Sequence, residues 1–486
     1  MSVSLSAHEV SYPEVSRPSN LAQLAGWVGI AFVALHVPLA LGMKAYPQLA
    51  TLHALITLVV GLRWAVSKGC LRQVACVGAY ITGSEVLWRM NEASIFWEYG
   101  KYATGLVLIV ALVRNRLIKM PLLPVLYFAL LIPGIVPTVM QDYLNLDRIR
   151  DYLSFNLSGP FALLVSAWFF SHLKVTWSEF EHILISFLAP IIGLASITLF
   201  GILTADSISW GSHSMFITSG GYGPNQVSAI LGLGALVALL FLLKSRENFL
   251  IKLLMFLAMI SLAAQSALTF SRGGLYGAGG GAIAAIACLS RDRQARLRIL
   301  FFGGLTLVVA IFVVLPRLND LTGGALTARF ENTSTTGRTE IAESDLKFWD
   351  ENPIVGVGVG MSFYRDFGWK SAHTEFTRML AEHGSFGFVA ILLLLIAGLR
   401  QLTLPQRPRR RAVVAAMLVW SVLFMAAMAM RLVAPSFTFG LAFIGLTSDH
   451  PPVVLSPAAY RQYLAYLASL TRFRQEKLKE KLSPTV

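Results

Sequence analysis

Four side chains in this 486-residue sequence carry chemistry that apolar surroundings do not explain: His373, Arg272, Arg338 and Arg431. A histidine titrates near neutral pH, so at a boundary between water and membrane it can take a proton from a hydroxyl and pass it on. His373 opens an expected helix in Ala372-His373-Thr374-Glu375-Phe376-Thr377-Arg378. Arginine offers a planar fork that binds phosphate oxygens two at a time and keeps its charge at any relevant pH, which suits a diphosphate leaving group. Arg272 lies in Ser271-Arg272-Gly273-Gly274, where two glycines let neighbouring backbone approach closely, and Arg338 follows Gly337 after the Ser/Thr-rich turn 333–336. Arg431, between an apolar span and Pro435, is a third arginine open to the same use. Plainer readings stand beside these: an interfacial histidine with a satisfied hydrogen bond, and arginines that snorkel to mark a membrane edge.

Two other charged groups have helical spacing. Arg378 lies three residues after Glu375 and four before Glu382, so a helix-surface ion pair and a substrate contact both fit it. Glu85 and Arg89 sit one turn apart on an otherwise apolar span, where mutual neutralisation lowers the cost of carrying them.

The elements that must position these groups follow from composition. Hydrophobic residues make up 55% of the chain and charged ones 14%, with a mean hydropathy of +0.64, whereas soluble chains carry roughly a quarter charged residues. The bilayer is therefore the expected solvent. Apolar stretches of the length a bilayer requires, about 20 residues each, recur about fourteen times, centred near Phe32, Thr57, Ala79, Leu108, Phe128, Val165, Ile191, Gly234, Leu257, Ala282, Val308, Ile391, Met417 and Phe443. The Gly-rich run 277–281 reads as close helix packing rather than a phosphate loop. The first twenty residues are polar and mildly acidic and do not resemble a cleaved secretory signal.

The net charge of +14 is not spread as nucleic-acid binding would require, because Lys and Arg collect in short loops: Arg63/Lys68/Arg72, Arg114/Arg116/Lys119, Lys244/Arg246/Lys252, Arg291/Arg293/Arg296/Arg298 and Arg400/Arg407/Arg409/Arg410/Arg411. Basic loops face the cytoplasm. The tail residues Arg472, Arg474, Lys477, Lys479 and Lys481 fall on the same side, so both termini are expected inside and the one long polar stretch outside. Segments 204–226 and 266–272 and Arg431 then reach the same outer face. The expected organisation is a cytoplasmic tail at 1–20, about eleven transmembrane helices over 21–315, a large periplasmic loop at 316–383, about three helices over 384–449, and a basic cytoplasmic tail at 450–486. Within the loop, 339–349 is predicted as a helix along the membrane surface, stopped by Asn352-Pro353, with the Gly-x-Gly-x-Gly of 356–360 as a flexible connector. Cys70, Cys76 and Cys288 have no paired spacing, and neither a disulfide nor a metal site is expected.

In this order, Gly223-Pro224-Asn225-Gln226, Ser271-Arg272-Gly273-Gly274, Gly337-Arg338, Trp349, Asn352-Pro353-Ile354, 356–360, His373 and 382–387 (Glu-His-Gly-Ser-Phe-Gly) resemble the O-antigen ligase and O-antigen polymerase superfamily. The resemblance runs over roughly 201–400. One departure is Thr374, where the family commonly has Asn directly after the loop histidine. A second departure is the span number, since the family typically has about twelve and fourteen are counted here; the expected fold is an all-α polytopic membrane protein of about 12–14 transmembrane helices with one large periplasmic loop containing short helices. The resemblance implies transfer of an undecaprenyl-diphosphate-linked saccharide to a glycan or lipid A-core hydroxyl, inverting and without metal or cofactor, at the periplasmic face of the bacterial inner membrane. His373 is then the general base. Arg272, Arg338 and Arg431 hold the diphosphate, and Asn225, Glu375 and Arg378 are further substrate contacts. Transfer to a Ser or Thr of a protein is an alternative within the family, and a polysaccharide-lipid flippase or transporter is one outside it.

Overall fold

The computed structural model describes residues 20–447 except 212, 245–248, 291–292, 333, 335–336, 366–367 and 405–407. The expected N-terminal tail, the basic tail with Arg472, Arg474, Lys477, Lys479 and Lys481, the loop residues Arg246, Arg291 and Arg407, and most of the 333–336 turn lie outside the described residues.

The chain is an all-α polytopic membrane protein. It begins with α1 (Asn20–Ala45), α2 (Pro47–Val66), α3 (Leu71–Met90) and α4 (Tyr99–Arg114). Short helices α5 (Leu122–Ala129) and α6 (Ile135–Val139) lead to the long α7 (Leu146–His172) and α8 (Trp177–Thr204). Next come α9 (Pro224–Lys244), α10 (Phe249–Leu268), α11 (Arg272–Leu289) and α12 (Arg293–Val309). The polar stretch holds α13 (Leu315–Leu321), α14 (Ala325–Glu331) and α15 (Arg338–Glu351), and the chain returns through α16 (Glu375–Thr403), α17 (Pro408–Ala427) and α18 (Ala434–Leu441).

Thirteen of the fourteen expected span centres fall within helices, and Phe443 lies two residues past the end of α18. Among the described residues nine helices are long and apolar enough to cross a membrane: α1, α2, α7 to α10, the 296–321 stretch, α16 and α17. The other five fall short for visible reasons. α3 carries Glu85 and Arg89, α4 has 16 residues, α5 and α6 are interrupted around Pro133-Gly134, α11 is rich in glycine, and α18 has eight residues.

Local sequence explains the element boundaries. Thr176 and Glu179 form a reciprocal capping box at the start of α8, and Asn145 caps α7 by accepting from the Arg148 amide at 2.9 Å; each such cap is worth about 1 kcal/mol. Pro316, which has no amide hydrogen to give, follows a π-helical turn at Ala310–Val314 that lets α12 run into α13.

Packing is close where glycines permit it. A Cβ on Gly274 would lie 2.0 Å from the Ser228 carbonyl oxygen and one on Gly232 2.2 Å from that of Gly274, so α9 and α11 cross in backbone contact. In the expected glycine run, Gly277 abuts Trp420, and Gly281 abuts Leu236 and the Ala416 carbonyl, so the run is a packing face as read from sequence. Phe437 of α18 meets Phe170 and Phe187 edge-on with ring centroids 5.1 and 5.4 Å away.

Basic residues of several connections meet at one end of the bundle, where β1 (Lys174–Thr176) pairs with β2 (Gly445–Thr447), Arg72 pairs with Glu179 and Arg410 donates to the Ile444 carbonyl. The stretches 91–98, 205–223, 269–271 and 428–433 and the long polar stretch lie at the other end.

Within that polar stretch α15 forms where the helix was predicted, and Asn352 ends it. The glycine segment 356–360 differs from its predicted role as a flexible connector. Val357 and Gly358 donate to the Ala381 and Glu382 carbonyls at 2.9 and 3.2 Å, Val359 donates to Gly134 at 3.0 Å, and Val359 is fully buried. The segment is a wedge between α16 and the 134–138 turn. It needs glycine because Gly358 has φ +101° and a Cβ there would lie 2.7 Å from Thr138 Oγ1. Gly358→Ala is therefore expected to cost about 1–3 kcal/mol, read as a lower thermal midpoint in detergent. Gly279→Ala, with nothing within 4 Å of the new Cβ, serves as the silent control. The helix expected to open near His373 runs from Glu375, and it breaks where expected, since Gly384 has non-helical backbone, φ +58° and ψ −135°, between the two helical stretches of α16.

Candidate functional site

The crossing of α9 and α11 fixes the first part of the site. Ser271 Oγ donates to Asn225 Oδ1 at 2.7 Å, and Ser228 Oγ donates to the Ser271 carbonyl at 2.8 Å. Asn225 thus ties the start of α9 to the start of α11, and Arg272, the first residue of α11, leaves this brace pointing into a cavity of about 440 Å3.

Three guanidinium groups line that cavity: Arg272, Arg329 and Arg338. Arg272 directs Nη1 to the Asn332 carbonyl and Nη2 to that of Ser334 at 2.9 Å, so it also holds the loop leading to Arg338. Arg329, on α14, is 6% exposed. Its Nε donates to the Phe270 carbonyl at 3.1 Å, which is presented by a backbone at φ +58° with Trp210 stacked on the Phe270 ring. Arg329 Nη1 is buried with no hydrogen-bond partner among the described residues. Arg338 opens α15 directly after Gly337, φ +80°.

The electrostatics are one-sided. Burial and the adjacent Arg272 and Arg329 charges push the Arg338 guanidinium below the ordinary arginine range, and burial with Arg272 does the same to Arg329. No described residue lining the cavity is acidic, and His213 and His373 complete its polar wall. Three like charges held together without a carboxylate among the described lining residues suit an anionic ligand, which would relieve their repulsion.

His373 reaches this cavity from the N-terminus of α16. Thr374 caps that helix by accepting from the Phe376 amide at 3.2 Å. The family's Asn at this position would cap as well, so the departure noted in the sequence leaves the histidine's support intact. Ala372, just before it, faces the other way and lines a second, larger cavity of about 950 Å3 with Trp97, Tyr102, Asp151 and Phe155.

The remaining predicted residues belong to that second side. Arg431 lines the larger cavity, not the arginine cavity, and its Nη2 donates to the Ala372 carbonyl at 2.8 Å. Burial and the charges of Arg378 and Arg338 lower its pKa. Arg378 pairs with Glu375 and, at 2.6 Å, with Glu382, while Glu375 accepts from the Met430 amide at 3.0 Å. The ion pairing read from helical spacing is what these two residues do. Of the seven predicted site residues, Asn225, Arg272, Arg338 and His373 converge on one cavity. Arg329, His213 and Tyr276 join them unannounced, since nothing in the local sequence separates them from other loop residues.

Residues 258–392 match the family model described as O-Antigen ligase, a stretch that includes Arg272, Arg329, Arg338 and His373. That match supports the likeness to the O-antigen ligase and polymerase superfamily over this stretch. No curated protein matches the chain significantly. The arginine cavity lies within the matched stretch except for Asn225, His213 and Ser214 from the segments before it and Ala427 after it.

Proposed function

We propose that this membrane protein is a metal-independent inverting glycosyltransferase that uses an undecaprenyl-diphosphate-linked glycan as donor. The observation that carries this reading is the cluster of three guanidinium groups, with no acidic neighbour lining its cavity, beside His373. The donor's diphosphate lies among Arg272, Arg329 and Arg338. His373 takes the proton from the acceptor hydroxyl as that oxygen attacks the anomeric carbon from the face opposite the diphosphate. The bond from the anomeric carbon to the phosphate oxygen breaks, its electron pair stays on the diphosphate, and the arginines stabilise the added negative charge. The products are the glycosylated acceptor and lipid diphosphate, and the histidine returns its proton to water.

The acceptor approaches from the larger cavity, on the other side of Ala372. Its exposed aromatic rings, Trp97 and Tyr102, and neighbouring Asp151 suit a saccharide surface. That favours a glycan or lipid A-core acceptor, as in a polymerase or ligase. Basic loops at the opposite end of the bundle support a periplasmic site in the bacterial inner membrane with both termini cytoplasmic.

Incubating the purified protein in detergent with undecaprenyl-diphosphate oligosaccharide, alone and with lipid A-core or a Ser/Thr peptide, tests the reading. Chain growth on donor alone identifies a polymerase, and a conjugate to lipid A-core a ligase. A glycopeptide would move the acceptor to protein. No product with any acceptor, together with lipid movement across vesicles, would replace the transferase with a flippase.

Arg329 gives a sharper check, because its unpartnered Nη1 has work only when an anion is bound. Arg329→Gln removes a charge-assisted hydrogen bond worth about 1.5–3 kcal/mol, so affinity for undecaprenyl diphosphate, titrated by intrinsic fluorescence, should fall by about 10- to 100-fold. Unchanged affinity would take Arg329 out of the site.

A further inference from the structure

Arg89 has no part in the chemistry above, yet it joins α3 to the 91–98 connection, the start of α9 and the 428–433 segment. Its side chain is 5% exposed, and its guanidinium donates in four directions. Nη2 reaches Glu85 Oε1 at 2.7 Å and the Trp97 carbonyl at 2.6 Å. Nη1 reaches Gln226 Oε1 at 3.3 Å and the Arg431 carbonyl at 3.2 Å. The Trp97 ring lies against the guanidinium, 4.4 Å from centroid to carbon.

These partners are not interchangeable. Trp97 lines the larger cavity. Gln226 follows Asn225, which braces the arginine cavity. Arg431 holds the Ala372 carbonyl, one residue before His373. Glu85 extends the arrangement by accepting from the Val433 amide through Oε2 at 2.7 Å, so the pair grips the 431–433 backbone at two points. Mutual neutralisation would need only the Glu85 contact, and an ammonium group would satisfy it. A planar fork bonded to two backbone carbonyls and two side chains is the arrangement a lysine cannot reproduce.

We propose that Arg89 is a positioning residue for the transfer reaction: through the 431–433 backbone and the Arg431 side chain it fixes the Ala372-His373 segment between the two cavities. This rests on His373 acting as general base. The expected consequence is geometric, since a displacement of about 1 Å at a reacting group costs on the order of 100-fold in rate.

The test is Arg89→Lys, which keeps the charge opposite Glu85. We expect kcat to fall by about 10- to 100-fold, with donor affinity within about twofold of wild type, a split that a general loss of structure does not produce. Arg431→Lys should show the same split. The double variant should be no slower than the slower single one, because both act on the same segment. Wild-type kcat in Arg89→Lys, loss of donor binding in parallel with kcat, or losses that multiply in the double variant would each overturn the proposal. His373→Ala separates the two claims: if it is inactive while Arg89→Lys is unimpaired, only the positioning role fails, and if it turns over normally, the base assignment fails first.

Discussion

His373→Ala is expected to lower kcat by about 100- to 10,000-fold, the range that general base catalysis supplies, while leaving affinity for undecaprenyl diphosphate within about twofold of wild type. The asymmetry follows from placement. On the proposed reading the anion is held by guanidinium groups on α11, α14 and α15, whereas His373 reaches the same cavity from the start of α16. Removing the imidazole leaves the donor's contacts in place and takes away the group that accepts the proton. Thr374 keeps its capping bond to the Phe376 amide in such a variant, so the helix start survives and the loss is chemical. Single-turnover transfer alongside lipid-diphosphate titration separates the two quantities, and retained turnover in His373→Ala would remove the base assignment.

Arg338→Gln carries the second large effect, and it should appear in both binding and rate. Arg272 already donates to two backbone carbonyls, so part of its charge is engaged in holding the loop. Arg338 is held at the mouth of α15 with its pKa depressed by burial, Arg272 and Arg329, and it is still cationic at neutral pH. Charge that repels its neighbours is the charge most relieved when a diphosphate arrives, and more so as the glycosyl bond breaks and the leaving group gains negative charge. Loss of one such preorganised donor typically costs about 100- to 1,000-fold in kcat. Arg338→Lys should recover part of that, since a point charge remains while the fork is lost. A kcat for Arg338→Gln equal to wild type, with weaker donor binding alone, would confine Arg338 to ground-state binding.

Much of this arrangement was legible in the sequence because membrane helices leave a direct signature. Every expected span centre but Phe443 falls within a helix, since a bilayer demands internally bonded backbone and apolar length together. Asn225, Arg272, Arg338 and His373 were legible because each stands in a short polar motif next to an apolar run. Arg329 was not, for its neighbours look like those of any surface turn of helix, and only the fold brings it under Phe270. Arg431 was read with the diphosphate contacts because sequence marks the end of a span but not which way a side chain leaves it; it points to Ala372 and the larger cavity. The role of Arg89 was hidden for a similar reason. Glu85 one turn away satisfies the spacing rule completely, and the contacts with Trp97, Gln226 and Arg431 depend on segments that meet only in three dimensions.

The glycine wedge at 356–360 bears on whether this machinery is portable. Its amides bond to the Ala381, Glu382 and Gly134 carbonyls, and a Cβ at Gly360 would strike Tyr152 of α7 at 2.7 Å. The polar stretch between α12 and α16 is thus keyed into helices that precede it by some two hundred residues. Transplanted onto an unrelated helical bundle, the 316–383 segment would arrive without its seat. Chimeras that respect this keying must exchange the 134–152 region together with the loop, so the unit of exchange is the pair of segments.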